Sequence, residues 1–99
     1  MTKSTLDFLR TLEDIIVARA AVPVDGSYTS ALFAAGPQRI AQKVAEEAVE
    51  VALASTAGDR EQTTAEAADL VYHLLVLLAG QRISLEDVIA ILRARHTEG

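Results

Sequence analysis

Cysteine and tryptophan are absent from this chain, proline occurs twice, and aromatic residues make up only 4% of it. Without thiols there is neither a disulfide framework nor a thiolate metal site, which suits a reducing cytosol. The longest apolar run, LLVLLA at 74–79, is far too short to cross a bilayer. The N-terminal stretch MTKSTLDFLRTLED is amphipathic and carries acids, unlike a signal or transit peptide. A soluble cytoplasmic protein with no membrane partner is therefore expected. An excess of positive charge is also missing: the net charge of −5 argues against nucleic acid as partner, because phosphate backbones are bound by neutralising Lys and Arg. Any phosphate-bearing ligand would need local cations or a metal.

What the chain has is apolar and helical. Hydrophobic residues make up 51%, mostly Ala, Leu and Val, a composition that favours packed helices over a sheet. Ser4 followed by Asp7 resembles a capping box, and Phe8, Leu9, Leu12, Ile15 and Ile16 recur at helical spacing up to about Ala21. VPVDGSYT reads as a loop, SALFAA as a short helical turn closed by Gly36, and Pro37 suits the first turn of a long helix reaching about Ala57. A further helix is expected from roughly Glu61 to Ala79, stopped by Gly80, and a last one from the Ser84 cap to Arg95 and His96. With no repeat or linker, residues 1–99 read as a single domain of four main helices. At 99 residues one core is only marginally self-sufficient, so an all-α four-helix bundle completed by homodimerisation is expected.

Charge sits where such a bundle should be dry. In KVAEEAVEVALA, residues 43–54, Lys43, Glu46, Glu47 and Glu50 fall within an arc of ~100 degrees on one helix. An isolated stripe of this kind is often the solvated face of an amphipathic helix. The next helix, EAADLVYHLLVLLA at 66–79, is apolar nearly all round, and its Glu66, Asp69 and His73 again share one face. An ionised carboxylate on a buried helix costs on the order of several kcal/mol unless it is paired or metal-bound. Lys43 answers only part of the charge of Glu46, Glu47, Glu50, Glu66 and Asp69, so a hard divalent cation is the economical explanation. Oxygen donors from two facing helices fit Mg2+ or Mn2+ better than Zn2+. Ordinary salt bridges on two outer faces are the alternative. His73 and Tyr72 read more readily as hydrogen-bonded or packed interior residues than as ligands.

These residues carry a resemblance. The pattern E-x-x-E (Glu47, Glu50) followed by E-x-x-D (Glu66, Asp69) resembles the MazG-type all-α nucleoside triphosphate pyrophosphohydrolases. The surrounding words SYTS (27–30), RIAQKVAEEAVEVALA (39–54), EAADLVYHLLVLL (66–78) and ISLEDVIAILRARH (83–96) are similar to the phosphoribosyl-ATP pyrophosphatase family of histidine biosynthesis. That resemblance covers about Ser27 to His96, and helix one adds little to it. It implies Mg2+-dependent hydrolysis of phosphoribosyl-ATP between its α and β phosphates, giving phosphoribosyl-AMP and pyrophosphate. By the same resemblance Glu47, Glu50, Glu66 and Asp69 match the family's metal-binding acids, with Glu46 in a secondary role.

Other residues are assigned to substrate by position. Lys43, one turn before the acids, suits a phosphate or an ion pair with Glu47, and Arg39 extends that face or is a surface arginine. Arg93, Arg95 and His96 could reach substrate from a neighbouring subunit, or serve the C-terminal end of the last helix. Ser27, Tyr28 and Thr29 offer hydroxyls for phosphate or ribose, or act as loop and cap residues. Two positions depart from the family's usual text: Ala31 replaces a lysine, and Ala45 stands where KVGEE is usual. A fused cyclohydrolase segment is not expected here. A house-cleaning nucleotide pyrophosphohydrolase would share the acids and the metal, and a non-catalytic helical dimer would share only the fold.

Overall fold

The computed structural model describes residues 4–97, and all regular structure among them is helical. A 3-10 turn at Thr5–Asp7 leads into α1 (Phe8–Ala21), followed by α2 (Tyr28–Ala35), α3 (Pro37–Thr56), α4 (Arg60–Gly80) and α5 (Leu85–His96). The expected cap at Ser4 forms: the Leu6 N–H donates to Ser4 Oγ at 3.2 Å, and the Ser4 N–H donates to Asp7 Oδ2 at 3.1 Å.

Local chemistry sets the other boundaries. α2 starts at Tyr28, earlier than the SALFAA reading, because Ser27 Oγ accepts the Ser30 N–H at 3.1 Å and caps the helix there. Tyr28 and Thr29 therefore lie on a helical first turn and not in a loop. Gly36, at φ 101°, separates α2 from α3 in a conformation that a side chain would strain. Only Ala57, Gly58 and Asp59 connect α3 to α4, with Asp59 Oδ1 accepting the Gln62 N–H at 2.9 Å. Such a short connection makes the two long helices antiparallel neighbours. Gly80 does not stop α4 but is its last residue, and the chain reverses at Arg82, which sits in the left-handed region at φ 58°.

The core is formed by Ile16, Leu32, Ile40, Leu75 and Val76, one or two residues from each of α1 to α4, with Leu12, Phe33 and Tyr72 packed around them. Burial of each such side chain contributes roughly 1.5–3 kcal/mol. α5 adds no buried residue and reaches this cluster only through Leu85. Its start is held by Glu13 Oε2, which accepts the Leu85 N–H at 2.6 Å, and by an exposed Arg10–Glu86 ion pair at 2.9 Å. The four helices sharing the core are thus α1 to α4, the short α2 taking the place the sequence reading reserves for α5. α4 is not buried on every side either. It buries His73, Leu75 and Val76 and leaves Val71 and Leu74 exposed.

Candidate active site

The α3–α4 hairpin places the acids by simple counting. Glu50 and Glu66 stand equally far from Gly58 in sequence; so do Glu47 and Asp69, and so do Lys43 and His73. In two antiparallel helices of equal rise, residues equidistant from the turn lie at the same level. One carboxylate oxygen from each of Glu47, Glu66 and Asp69 accordingly falls within 4.8 Å of the others. Glu47 is 7% exposed, an unusual depth for a glutamate.

Compensating charge is sparse. Lys43 Nζ lies 3.6 Å from Glu47 Oε1 and 3.9 Å from Glu46 Oε1, and His73 Nδ1 lies 3.8 Å from the same Glu47 oxygen. Glu66 Oε1 accepts the Gln62 side-chain N–H at 2.7 Å, while its Oε2 is buried without a hydrogen-bond partner. Contact with the Glu50 carboxyl, then with Glu47, then burial and the charges of both neighbours raise the Glu66 pKa from 4.5 to about 7. The shift has the direction expected of a carboxyl held against two others with little compensating positive charge. An orphaned buried oxygen inside a cluster of all-oxygen donors is what a hard divalent cation would satisfy, so these residues fit such an ion.

The outer acids lie around this centre. Glu50 touches Glu66 from the exposed side, and Glu46 is exposed, accepting from Gln42 Nε2 at 3.1 Å. Beside the cluster, His73 is 5% exposed and fully engaged. Its Nδ1 faces the Asp69 main-chain oxygen at 2.9 Å, and its Nε2 the Tyr28 hydroxyl at 3.0 Å. A carbonyl only accepts, so Nδ1 carries the proton, and in the neutral ring Nε2 accepts from Tyr28. Thr29 Oγ1 bonds the Tyr72 hydroxyl, and the rings of Tyr28 and Tyr72 stack with centroids 6.2 Å apart.

The residues assigned to substrate divide into two groups. Ser27, Tyr28 and Thr29 gather at the start of α2, where the first caps the helix and the other two bond His73 and Tyr72. Arg39 is exposed near the start of α3. Arg93, Arg95 and His96 are exposed in the last turn of α5, with His96 Nδ1 at 2.7 Å from the Leu92 main-chain oxygen. Gln62 was not anticipated, although its i, i+4 spacing to Glu66 marks it as that residue's natural partner.

A family model described as phosphoribosyl-ATP pyrophosphohydrolase matches residues 9–96. A histidine biosynthesis bifunctional protein HisIE from Vibrio vulnificus is 51% identical over 94 residues, covering 95% of this chain and 44% of that protein. Proteins with the same name from Yersinia pestis and Pasteurella multocida are 52% and 53% identical over 93 and 91 residues, covering 94% and 92% of this chain and 46% and 45% of theirs. The chain therefore spans less than half the length of these relatives. The match begins within α1, further back than the Ser27 at which the resemblance of the sequence words starts. On this match, which takes in the acid cluster, the His73 network and α5, the chain belongs to the phosphoribosyl-ATP pyrophosphohydrolase family.

Proposed function

We propose that this chain hydrolyses phosphoribosyl-ATP between its α and β phosphates, yielding phosphoribosyl-AMP and pyrophosphate in histidine biosynthesis, with Mg2+ or Mn2+ at the acid cluster. The observation that carries the reading is the convergence of Glu47, Glu66 and Asp69, with one Glu66 oxygen buried and unpartnered, in a chain of this family. Glu47, Glu66 and Asp69 hold the ion, and Glu50 extends the ligand set from the exposed side. A divalent cation there supplies neutralisation of the triphosphate and makes water a better nucleophile.

The chain's own residues do the rest. Glu46 and Glu50, open to solvent beside the cluster, take up the proton of the attacking water or hold a further cation. Lys43, close to the acids on the same helix face, meets a phosphate oxygen as a point charge. Arg39 and the hydroxyls of Ser27, Tyr28 and Thr29 line the approach from α2 and α3. Arg93, Arg95 and His96 act from a second copy of the chain.

The working unit in this reading is a homodimer in the cytoplasm. Exposed apolar side chains support it: Val49 and Leu53 on α3, Val71 and Leu74 on α4, and Ile89, Ile91 and Leu92 on α5. No helix among the described residues is long and apolar enough to cross a membrane.

Pyrophosphate release with Mg2+ tests the activity, using phosphoribosyl-ATP beside a panel of ordinary nucleoside triphosphates. Release from phosphoribosyl-ATP alone, lost in Glu66→Gln, is expected. Release from the panel would instead assign the site to nucleotide clearance, and no release from any substrate would leave a non-catalytic helical dimer.

A further inference from the structure

His73 is a buried polar side chain that the proposed chemistry does not use, yet it stands between α2, α3 and α4 beside the acids. Its Nδ1 bonds the main-chain oxygen of Asp69 and stands 3.8 Å from Glu47 Oε1, so one ring edge meets both helices that carry the acids. Its Nε2 bonds the Tyr28 hydroxyl at 3.0 Å, on the first turn of α2. Tyr72 packs edge-on against the same ring at 5.0 Å and stacks on Tyr28. From α4, then, the imidazole reaches an acid of α3 and the N-terminal turn of α2.

We infer that His73 is a positioning residue, which sets the Glu47 carboxylate against Asp69 and ties cation binding at the cluster to the placement of Tyr28. The inference rests on the metal reading of the acids given above. Packing settles the direction of the coupling. The ring is enclosed, both its nitrogens are committed, and a shift of Glu47 toward a cation changes what the Nδ1 edge faces. The ring can follow only by moving relative to the Tyr28 hydroxyl, because its bond to Asp69 lies within its own helix.

The sequence provides a reporter for this. Tyr28 and Tyr72 are the chain's only tyrosines, and tryptophan is absent, so all tyrosine emission arises beside His73. Mg2+ alone is titrated into the metal-free protein, with affinity read by calorimetry and the coupling by tyrosine emission. In the wild type both signals should follow one isotherm. His73→Leu should weaken Mg2+ binding about tenfold, the low end for loss of a residue that orients metal ligands. His73→Asn keeps a donor where Nδ1 stood but no acceptor for Tyr28. It should bind Mg2+ within about threefold of wild type and lose the emission change. Tyr28→Phe, at an exposed ring, should also abolish the emission change, and it keeps the test open if His73→Leu fails to fold. Unaltered Mg2+ affinity and emission response in the folded His73 and Tyr28 variants would overturn this inference alone. Absence of Mg2+ binding by the wild type would overturn the metal reading and this inference with it.

Discussion

Two regions of the molecule break the rule of apolar inside and polar outside in opposite senses. On α3 and α4 carboxylates go inward: Glu47 is 7% exposed, and Glu66 has a buried oxygen with no hydrogen-bond partner. On α5 apolar side chains go outward: Ile91 and Leu92 are 52% and 49% exposed, and no residue of the helix is buried. An inward charge is tolerable when an opposite charge arrives to meet it, and an outward apolar face when a surface arrives to cover it. In the reading proposed above, an ion relieves the first violation and a second subunit the other.

The largest expected effect breaks the first half of the comparison. Asp69→Asn keeps the size of the side chain and removes one of the converging charges, and it should lower pyrophosphate release by a hundredfold or more, on the order seen when metal chemistry loses a ligand. Steady-state kinetics at saturating Mg2+ checks it, and an activity within a few-fold of wild type would remove Asp69 from the site. The second prediction breaks the outer half. Ile91→Glu with Leu92→Glu adds charge to the exposed apolar face of α5 and should raise the dimer dissociation constant at least about a hundredfold, by the loss of two side chains that a second subunit would cover and the cost of charge. Sedimentation over a dilution series reads this directly, and a wild type that is a stable monomer at micromolar concentration would defeat the dimer.

A third prediction sharpens the comparison through pH. The pKa of Glu66 stands near 7 in the folded, metal-free molecule against 4.5 ordinarily, so the folded state holds the proton more tightly than the unfolded chain. That stabilising linkage is fully present below pH 4.5 and is lost as pH rises through about 7. The metal-free Tm component from this group should therefore fall across that window. Glu66→Gln should flatten the dependence, and Mg2+ should suppress it by competing with the Glu66 proton. A Tm difference between wild type and Glu66→Gln that stays constant across this window would contradict the assignment. The smallest effect concerns how α5 is started: Ser84→Ala removes the acceptor of the Asp87 N–H at 3.1 Å and should cost about 1 kcal/mol. Hydrogen exchange should show that loss within α5, with the amides of α3 and α4 unaffected.

Helix existence was legible wherever caps and spacing agreed, as at Ser4, Gly36 and Ser84. It was misjudged where a side chain did something a residue type does not announce. Ser27 caps α2 and moves its start to Tyr28, and α4 takes in Gly80 as its last residue, the chain turning at Arg82 in the left-handed region. The acids were legible as stripes by their i, i+3 and i, i+4 spacing. Their pairing across the hairpin was also written in the chain, since Glu47 and Asp69 are equidistant from Gly58, but it needs the tightness of the turn to be known first. His73 is legible as a hydrogen-bonded interior residue, and it is buried with both nitrogens engaged. Its neighbours from other helices, Tyr28 of α2 and Glu47 of α3, are not legible, because they are set by tertiary packing.

The helical class, the two acidic stripes and the family to which their words belong follow from the order of residues alone, because these depend on periodicity and residue type within a few turns of chain. Which acids converge, how deep each lies, and that α2 rather than α5 completes the core emerge only when the helices pack. Those outcomes depend on distances between helices, and the packing of Ile16, Leu32, Ile40, Leu75 and Val76 sets them.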